Sequence, residues 1–271
     1  MTQAPLSQIF ISFQGEGPLA GVRQVFVRVR GCDIACTYCD TPDARDTSGP
    51  CLVETEPGGA DFRALGNPVT MDELSRVLAE LTPPPQGDLP TRCKCCDEQG
   101  CRLSRAPVHS LAITGGEPLL YPEFVAELAD VAGRLALPTY LETGGHRPEE
   151  LEAVIGRVAY VSMDYKLPST LATPVDQSLF VASYAAAQRC FWRSVKMVVT
   201  SETPEEEVAC AVAALATVSD AGPLTLQPAS PTPGGPQTPD ASHLHRLFAA
   251  ASECIRDVRV IPQGHRAMGV L

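Results

Sequence analysis

Basic residues are scarce in this sequence. Lys and Arg number 21 against 32 Asp and Glu, for a formal net charge of −11. Stable nucleic-acid binding needs clustered Lys and Arg to replace counterions, so that class of partner is set aside and a small-molecule substrate fits better. No apolar run approaches the ~20 residues needed to span a bilayer, so no membrane partner is expected. Residues 1–8 carry neither a basic n-region nor an apolar h-region. No secretory leader is read there, and a cytoplasmic location is expected. No internal repeat shows beyond an alternation of strand and helix patterns. Cysteine, in contrast, is plentiful: 11 in 271 residues. In a reducing compartment, clustered cysteines more often bind metal than form disulfides.

Three of them stand as Cys32-x3-Cys36-x2-Cys39, just after the apolar run 24–29. Thiolates are soft ligands that suit iron–sulfur clusters and zinc. Three thiolates hold three irons of a [4Fe–4S] cube and leave the fourth open, whereas an electron-transfer cluster usually takes four cysteines. Structural zinc sites use four ligands, often from paired hooks, and no second pair follows at short distance. A cluster is therefore favoured over zinc or plain buried thiols.

The chain is 44% hydrophobic, enough for one substantial core. A single domain over 1–271 is expected, with an insertion at 42–107. Residues 25–29 read as a first strand, and the Gly-, Pro- and acid-rich stretch 48–68 reads as loop. Thr70-x-x-Glu73 is a capping box, and Leu74, Val77, Leu78 and Leu81 follow at helical spacing until Pro83. Strands are predicted at 108–113, 139–141, 158–163, 195–199, 224–226 and 258–261. Helices are predicted at 122–135, 148–155, 177–188, 204–217 and 243–254. Such alternation implies parallel pairing by right-handed crossovers, in an α/β fold with too few units for a closed eight-fold barrel. An open, partial β/α barrel of about six parallel strands is expected. Ligands gather at the C-terminal ends of such strands, where Cys32, Gly115-Gly116 and Glu142-Thr143 fall.

The flanks of the thiol loop narrow the reading. Phe13-Gln14-Gly15-Glu16-Gly17 lies upstream, Arg28 four residues before Cys32, and Asp40-Thr41 directly after Cys39. Thr114-Gly115-Gly116-Glu117-Pro118 comes later. Together these resemble the 7-carboxy-7-deazaguanine synthase family of radical S-adenosylmethionine (SAM) enzymes, over most of the chain except about 42–107. The resemblance implies conversion of 6-carboxy-5,6,7,8-tetrahydropterin to 7-carboxy-7-deazaguanine with release of ammonia, in queuosine and deazapurine biosynthesis. It implies a [4Fe–4S] cluster whose open iron takes the methionine end of SAM. A 5′-deoxyadenosyl radical would abstract the C6 hydrogen, ring contraction would follow, and the hydrogen would return. It also implies a homodimer and the partial barrel. A reductase or flavodoxin-like electron donor is the expected partner.

Residue roles follow. Cys32, Cys36 and Cys39 would hold the cluster. Tyr38 packs near the adenine or shields the loop. Gly115 and Gly116 permit close backbone approach to a ligand, and with Glu117 would hold the SAM ammonium. Asp164 and Lys166 resemble family positions facing SAM, with Ser162 adjacent, and Gln227 likewise resembles a SAM-side position. Thr41 matches a magnesium ligand of the family, with Asp40 the alternative carboxylate. On the substrate side, Phe13, Gln14, Gly15 and Glu16 offer an amide, a carboxylate and accessible backbone to a pterin edge. Arg28, charged on an otherwise apolar strand, suits a substrate carboxylate. Thr114 joins them. His265 matches a substrate-facing histidine of the family, and the carboxylate of Leu271 a terminal contact.

Cys93, Cys95, Cys96 and Cys101 form a second group among Arg92, Lys94 and Arg102. A zinc knot, an auxiliary cluster and no metal all stand as readings, with Cys51 a substitute ligand. Cys190, Cys210 and Cys254 are expected to be small core residues on helix faces. Two rival functions are weighed. A glycyl-radical activating enzyme shares the cysteine loop, but the strap 14–17 and Arg28 suit a small acidic heterocycle. A non-catalytic zinc module leaves Gly-Gly-Glu-Pro unexplained.

Overall fold

The computed structural model describes residues 2–82, 108–219, 222–231 and 235–270. In chain order it has β1 (Gln3–Ala4), β2 (Leu6–Phe13), β3 (Arg23–Val29), β4 (Cys51–Glu54), β5 (Phe62–Leu65), β6 (Val69–Thr70) and α1 (Met71–Leu81). Then come β7 (Ser110–Gly115), α2 (Pro122–Arg134), β8 (Thr139–Thr143), α3 (Pro148–Val154), β9 (Tyr160–Asp164) and α4 (Gln177–Ala187). Last are β10 (Trp192–Val199), α5 (Glu205–Ala216), β11 (Leu224–Pro228), α6 (Ala241–Ser252), β12 (Val258–Val260) and α7 (Gly264–Met268). No helix of the described residues is long and apolar enough to cross a membrane.

One ten-stranded sheet runs β12-β11-β10-β9-β8-β7-β3-β2-β4-β5, and from β3 to β12 every pairing is parallel. This is the open partial barrel expected. Two expectations are corrected. The first long strand is β2, antiparallel to β3, rather than β3 itself. Six of its eight residues are buried, serines among them, so both faces are covered and the period-two signal is lost. The stretch 48–68 is not all loop either. Its β4 and β5 form an antiparallel hairpin that extends the sheet edge; strands of four residues are too short to show a period.

The helices cover one face of the sheet and build the main core. Helix α1 begins as the capping box requires: Glu73 N–H donates to Thr70 Oγ1, and Thr70 N–H donates to Glu73 Oε2 at 3.1 Å. On the other face lies a row of side chains one strand apart: Phe10, Phe26, Ala112 and Tyr140, with the two Phe rings stacked at 5.0 Å. Side chains two residues apart share a face. Two residues beyond this apolar row come Arg28, Thr114, Glu142 and Ser162, and beyond those Asp164 and Lys196. The inner face thus turns from apolar to polar toward the C-terminal ends of the strands.

The cysteines away from the loop need correction. Cys51 is fully buried in the main core, and burial pushes its thiol up to about 12. That placement does not suit a ligand for the insertion. Cys210 is exposed, because α5 buries the stripe Val208, Ala211, Val212 and Leu215 instead. Cys190 is buried, but in the turn after α4, and Cys254 is half-buried beyond the end of α6. Cys93, Cys95, Cys96 and Cys101 lie outside the described residues, as does Leu271.

Candidate active site

A cavity with about 1400 Å³ of empty space, partly open to solvent, occupies this polar end of the inner face. Of the predicted site residues within the described chain, every one lines it: the three thiols, the strap 13–16, Arg28, Tyr38, Thr41, Thr114, Gly115 to Glu117, Ser162, Asp164, Lys166, Gln227 and His265. Residues some 250 positions apart are thus brought to one hollow.

The thiol loop follows β3. Its stem is fixed by Gly31 N–H donating to Ala44 O at 2.6 Å, and Glu117 N–H to Gly31 O at 2.8 Å. Its far side is fixed by Thr37 N–H to Thr170 O at 3.0 Å and Ala172 N–H to Ala35 O at 2.8 Å. Cys32, Cys36 and Cys39 are free thiols, partly exposed to the cavity. Burial pushes the thiols of Cys32 and Cys36 up. Three unpaired thiols on one pinned loop, facing an open hollow, fit a cluster with one iron left for a ligand.

Gly115 and Gly116 line the cavity, and they also permit a close approach to protein backbone. A Cβ at Gly115, where φ is +121°, would lie 2.3 Å from Val29 O; one at Gly116 would lie 1.9 Å from Gly31 O. The glycines let β7 turn against the stem of the thiol loop. Glu117 is buried, and burial raises its carboxyl. Its Oε1 accepts from Leu119 N–H at 2.9 Å and Thr143 Oγ1 at 2.8 Å, and Oε2 from Gly144 N–H at 2.6 Å.

A ladder of charges crosses the floor. Glu16 is bonded to Lys196, Lys196 lies 3.1 Å from Asp164 Oδ1, and Asp164 Oδ2 is 2.5 Å from Lys166. Lys166 also sits over the Tyr38 ring, 5.3 Å from its centre, so Tyr38 packs on a cation. Burial alone would raise the Glu16 carboxyl. The Lys196 ammonium and hydrogen bonds from Lys196, Gln263 and Gln227 bring it down to about 2. Gln263 Nε2 lies 2.9 Å from both Glu16 Oε1 and Asp40 Oδ2, which joins the strap to the end of the thiol loop. Thr41 makes no capping bond to the short helix after it.

On the substrate side, Arg28 donates to the neutral Gln8 Oε1 at 2.5 Å and lies 5.0 Å over the Phe10 ring. Burial lowers its pKa, and the charges of Asp40, Glu142 and Glu16 oppose that. Gln14 Nε2 donates to Glu142 Oε1 at 2.7 Å, and Thr114 Oγ1 to Glu142 Oε2 at 2.5 Å. His265 packs on Gly15, where a Cβ would lie 2.2 Å from its Nδ1. Gly264 N–H donates to Gly15 O at 2.7 Å.

Sequence reasoning missed Glu142, His146, Lys196 and Gln263 as site residues; all four line the cavity. Lys196 had a signal: like Arg28, it is a charge set within an apolar run, 195–199. Gln263 had none, since it reaches the site only through the path of the chain after β12.

An open parallel sheet with three free thiols on the loop after its first parallel strand defines a radical SAM enzyme. No family model matches the chain. It is 37% identical to the 7-carboxy-7-deazaguanine synthase of Geobacter sulfurreducens, over 99% of this chain and 98% of that one. It is 31% identical to the protein of that name from Methanothermobacter thermautotrophicus, over 100% and 99%. The crystal structure of QueE from Escherichia coli shares the fold, with a TM-score of 0.55 at 18% identity over 97% and 95% of the two chains. The chain belongs to the 7-carboxy-7-deazaguanine synthase family. That membership sets aside the glycyl-radical activating enzyme and the zinc module.

Proposed function

We propose that this chain converts 6-carboxy-5,6,7,8-tetrahydropterin to 7-carboxy-7-deazaguanine with release of ammonia, in queuosine and deazapurine biosynthesis. The observation that carries this reading is the shared hollow. Three free thiols and a clamp for a small acidic heterocycle line the same cavity. When bound, the cluster and SAM supply a one-electron route to hydrogen abstraction. Cys32, Cys36 and Cys39 hold the cluster as thiolates. Glu117 receives the SAM ammonium on Oε2, which carries a single hydrogen bond from protein. Asp164, Lys166, Ser162 and Gln227 line the SAM side, and Tyr38, held by Lys166, shields it.

Arg28 takes the substrate carboxylate, because its present bond is to a neutral amide that an anion outcompetes. Gln14, Glu16, Thr114 and His265 orient the pterin, with Phe13 and Gly15 shaping the wall. Magnesium binds through Thr41 and substrate oxygens, and waters complete its shell. A reductase or flavodoxin-like protein supplies electrons, and the enzyme is a cytoplasmic homodimer.

Anaerobic incubation of reduced, cluster-loaded protein with SAM and the carboxylated tetrahydropterin tests the reaction. The expected product has the mass of 7-carboxy-7-deazaguanine. SAM cleavage without a deazapurine would overturn the substrate assignment. Metal counts test the open readings of the insertion cysteines: about four irons and no zinc per chain would remove both the zinc knot and the auxiliary cluster.

A further inference from the structure

Gln24 heads the apolar run of β3 and is fully buried. Its amide stands between two other polar side chains. Oε1 accepts from Gln14 Nε2 at 2.9 Å, and Nε2 donates to Ser110 Oγ at 2.7 Å. Ser110 is fully buried too and lies opposite Gln24 in the parallel register of β3 and β7. On its far side Ser110 Oγ is 3.0 Å from His109 Nδ1. Apolar groups of the same shape would fill this part of the core at little cost to stability, so the bonds of Gln24 need another reason. A count of hydrogens on Gln14 gives one. Glu16 N–H can only donate and lies 3.0 Å from Gln14 Oε1, which fixes the orientation of that amide. Gln14 Nε2 then has two hydrogens. One goes to Glu142 Oε1 at 2.7 Å and the other to Gln24. Gln14 lines the cavity, yet all it can still offer a ligand is the second lone pair of Oε1. Glu142, also in the wall, accepts on both oxygens. This side of the pocket therefore suits a ligand that brings N–H groups and disfavours one that brings a carbonyl oxygen.

We propose that Gln24, held by Ser110, is a positioning residue that sets substrate specificity: it takes the second hydrogen of Gln14 Nε2, so that Gln14 meets the exocyclic amino group of the pterin as an acceptor only. The inference rests on the placing of the pterin at Gln14 given above. Without Gln24, one N–H of Gln14 is released to donate to a ligand, and the amide no longer tells an amino group from an oxygen.

The test measures dissociation constants by anaerobic calorimetry on cluster-loaded, unreduced protein with SAM present, so that no turnover occurs. The ligands are the carboxylated tetrahydropterin and its lumazine counterpart, which has oxygen in place of the exocyclic amino group. Wild type is expected to prefer the pterin by about 10-fold or more, because the lumazine sets an acceptor against an acceptor. Gln24→Met keeps the volume and removes the acceptor, and the preference should drop to about twofold, with SAM affinity and iron per chain as in wild type. Gln24→Glu gives Gln14 Nε2 an acceptor again and should bring the preference back to within about threefold of wild type. A glutamine that merely filled the core would weaken both ligands alike. Equal weakening in Q24M, an unchanged preference there, or a Q24E variant as unselective as Q24M would overturn the proposal. If Q24M does not fold, Ser110→Ala decides, because it strips Gln24 Nε2 of its acceptor and lets the amide turn: a reduced preference supports the proposal and a wild-type preference overturns it. If wild type binds both ligands equally, the role of Gln24 falls and the substrate assignment stands. If it binds neither, the substrate assignment falls as well.

Discussion

Lys196 on β10 is bonded to Glu16 on the strap after β2, so strap and sheet are joined by one largely buried charge pair. Its strength has a sign in pH. The Glu16 carboxyl lies at about 2 in the folded chain against an ordinary 4.5. A depressed carboxyl adds stability that is fully present above 4.5 and is lost as pH falls toward 2. The shift corresponds to about 3 kcal/mol.

Replacing Lys196 with Met should therefore destabilise the protein at pH 7 by about 3 kcal/mol, because Glu16 is left buried without its counter-charge. The loss should shrink as pH is lowered from 5 to 2, where Glu16 takes up a proton in both proteins. Urea midpoints across that range measure it. A constant gap between wild type and K196M would contradict the pairing.

Gly116→Ala places a methyl 1.9 Å from Gly31 O, backbone against backbone. The stem of the thiol loop must then move. A destabilisation of about 2 kcal/mol is expected from such overpacking. Iron per chain after reconstitution should fall well below wild type, while far-ultraviolet circular dichroism stays close to it. Wild-type iron content in G116A would show that the loop does not depend on this contact.

Thr41→Ala should blunt the stimulation by magnesium and leave SAM affinity within about twofold, because the ion needs few protein oxygens and this hydroxyl makes no capping bond. Rates with and without magnesium, beside SAM calorimetry, are the readout. Unchanged magnesium dependence would remove Thr41 from the ion.

Gly15→Ala drives a methyl into the His265 ring. The pterin KM should rise about 10-fold as the ring is displaced, with SAM affinity unaffected. A variant with wild-type KM would place His265 outside the substrate seat.

How much of this was legible depends on how far apart the partners lie in the chain. The thiol loop is a local pattern, eight residues from Cys32 to Cys39, and its chemistry is written in the spacing. Arg28 stood out because a charge on an apolar strand needs a reason. Lys196 carried the same mark and was passed over. Glu142 was placed at a strand end, but only the register of β8 beside β7 and the strap across it show it meeting Thr114 and Gln14. The two glycines at the end of β7 were noticed for a ligand, but the backbone they approach, Val29 at the end of β3 and Gly31 after it, lies about 85 residues earlier and leaves no local mark. Strand β2 was missed because burial on both faces hides the period that reveals a strand.

The last parts of the described chain also close the site. Gln263 ties the strap to Asp40, and His265 rests on Gly15. Translation therefore delivers the strap, Arg28 and the thiols early, and the residues that pack on the strap late. A polypeptide released before residue 263 would hold all three thiols yet lack the contacts of Gln263 and His265 that close the cavity.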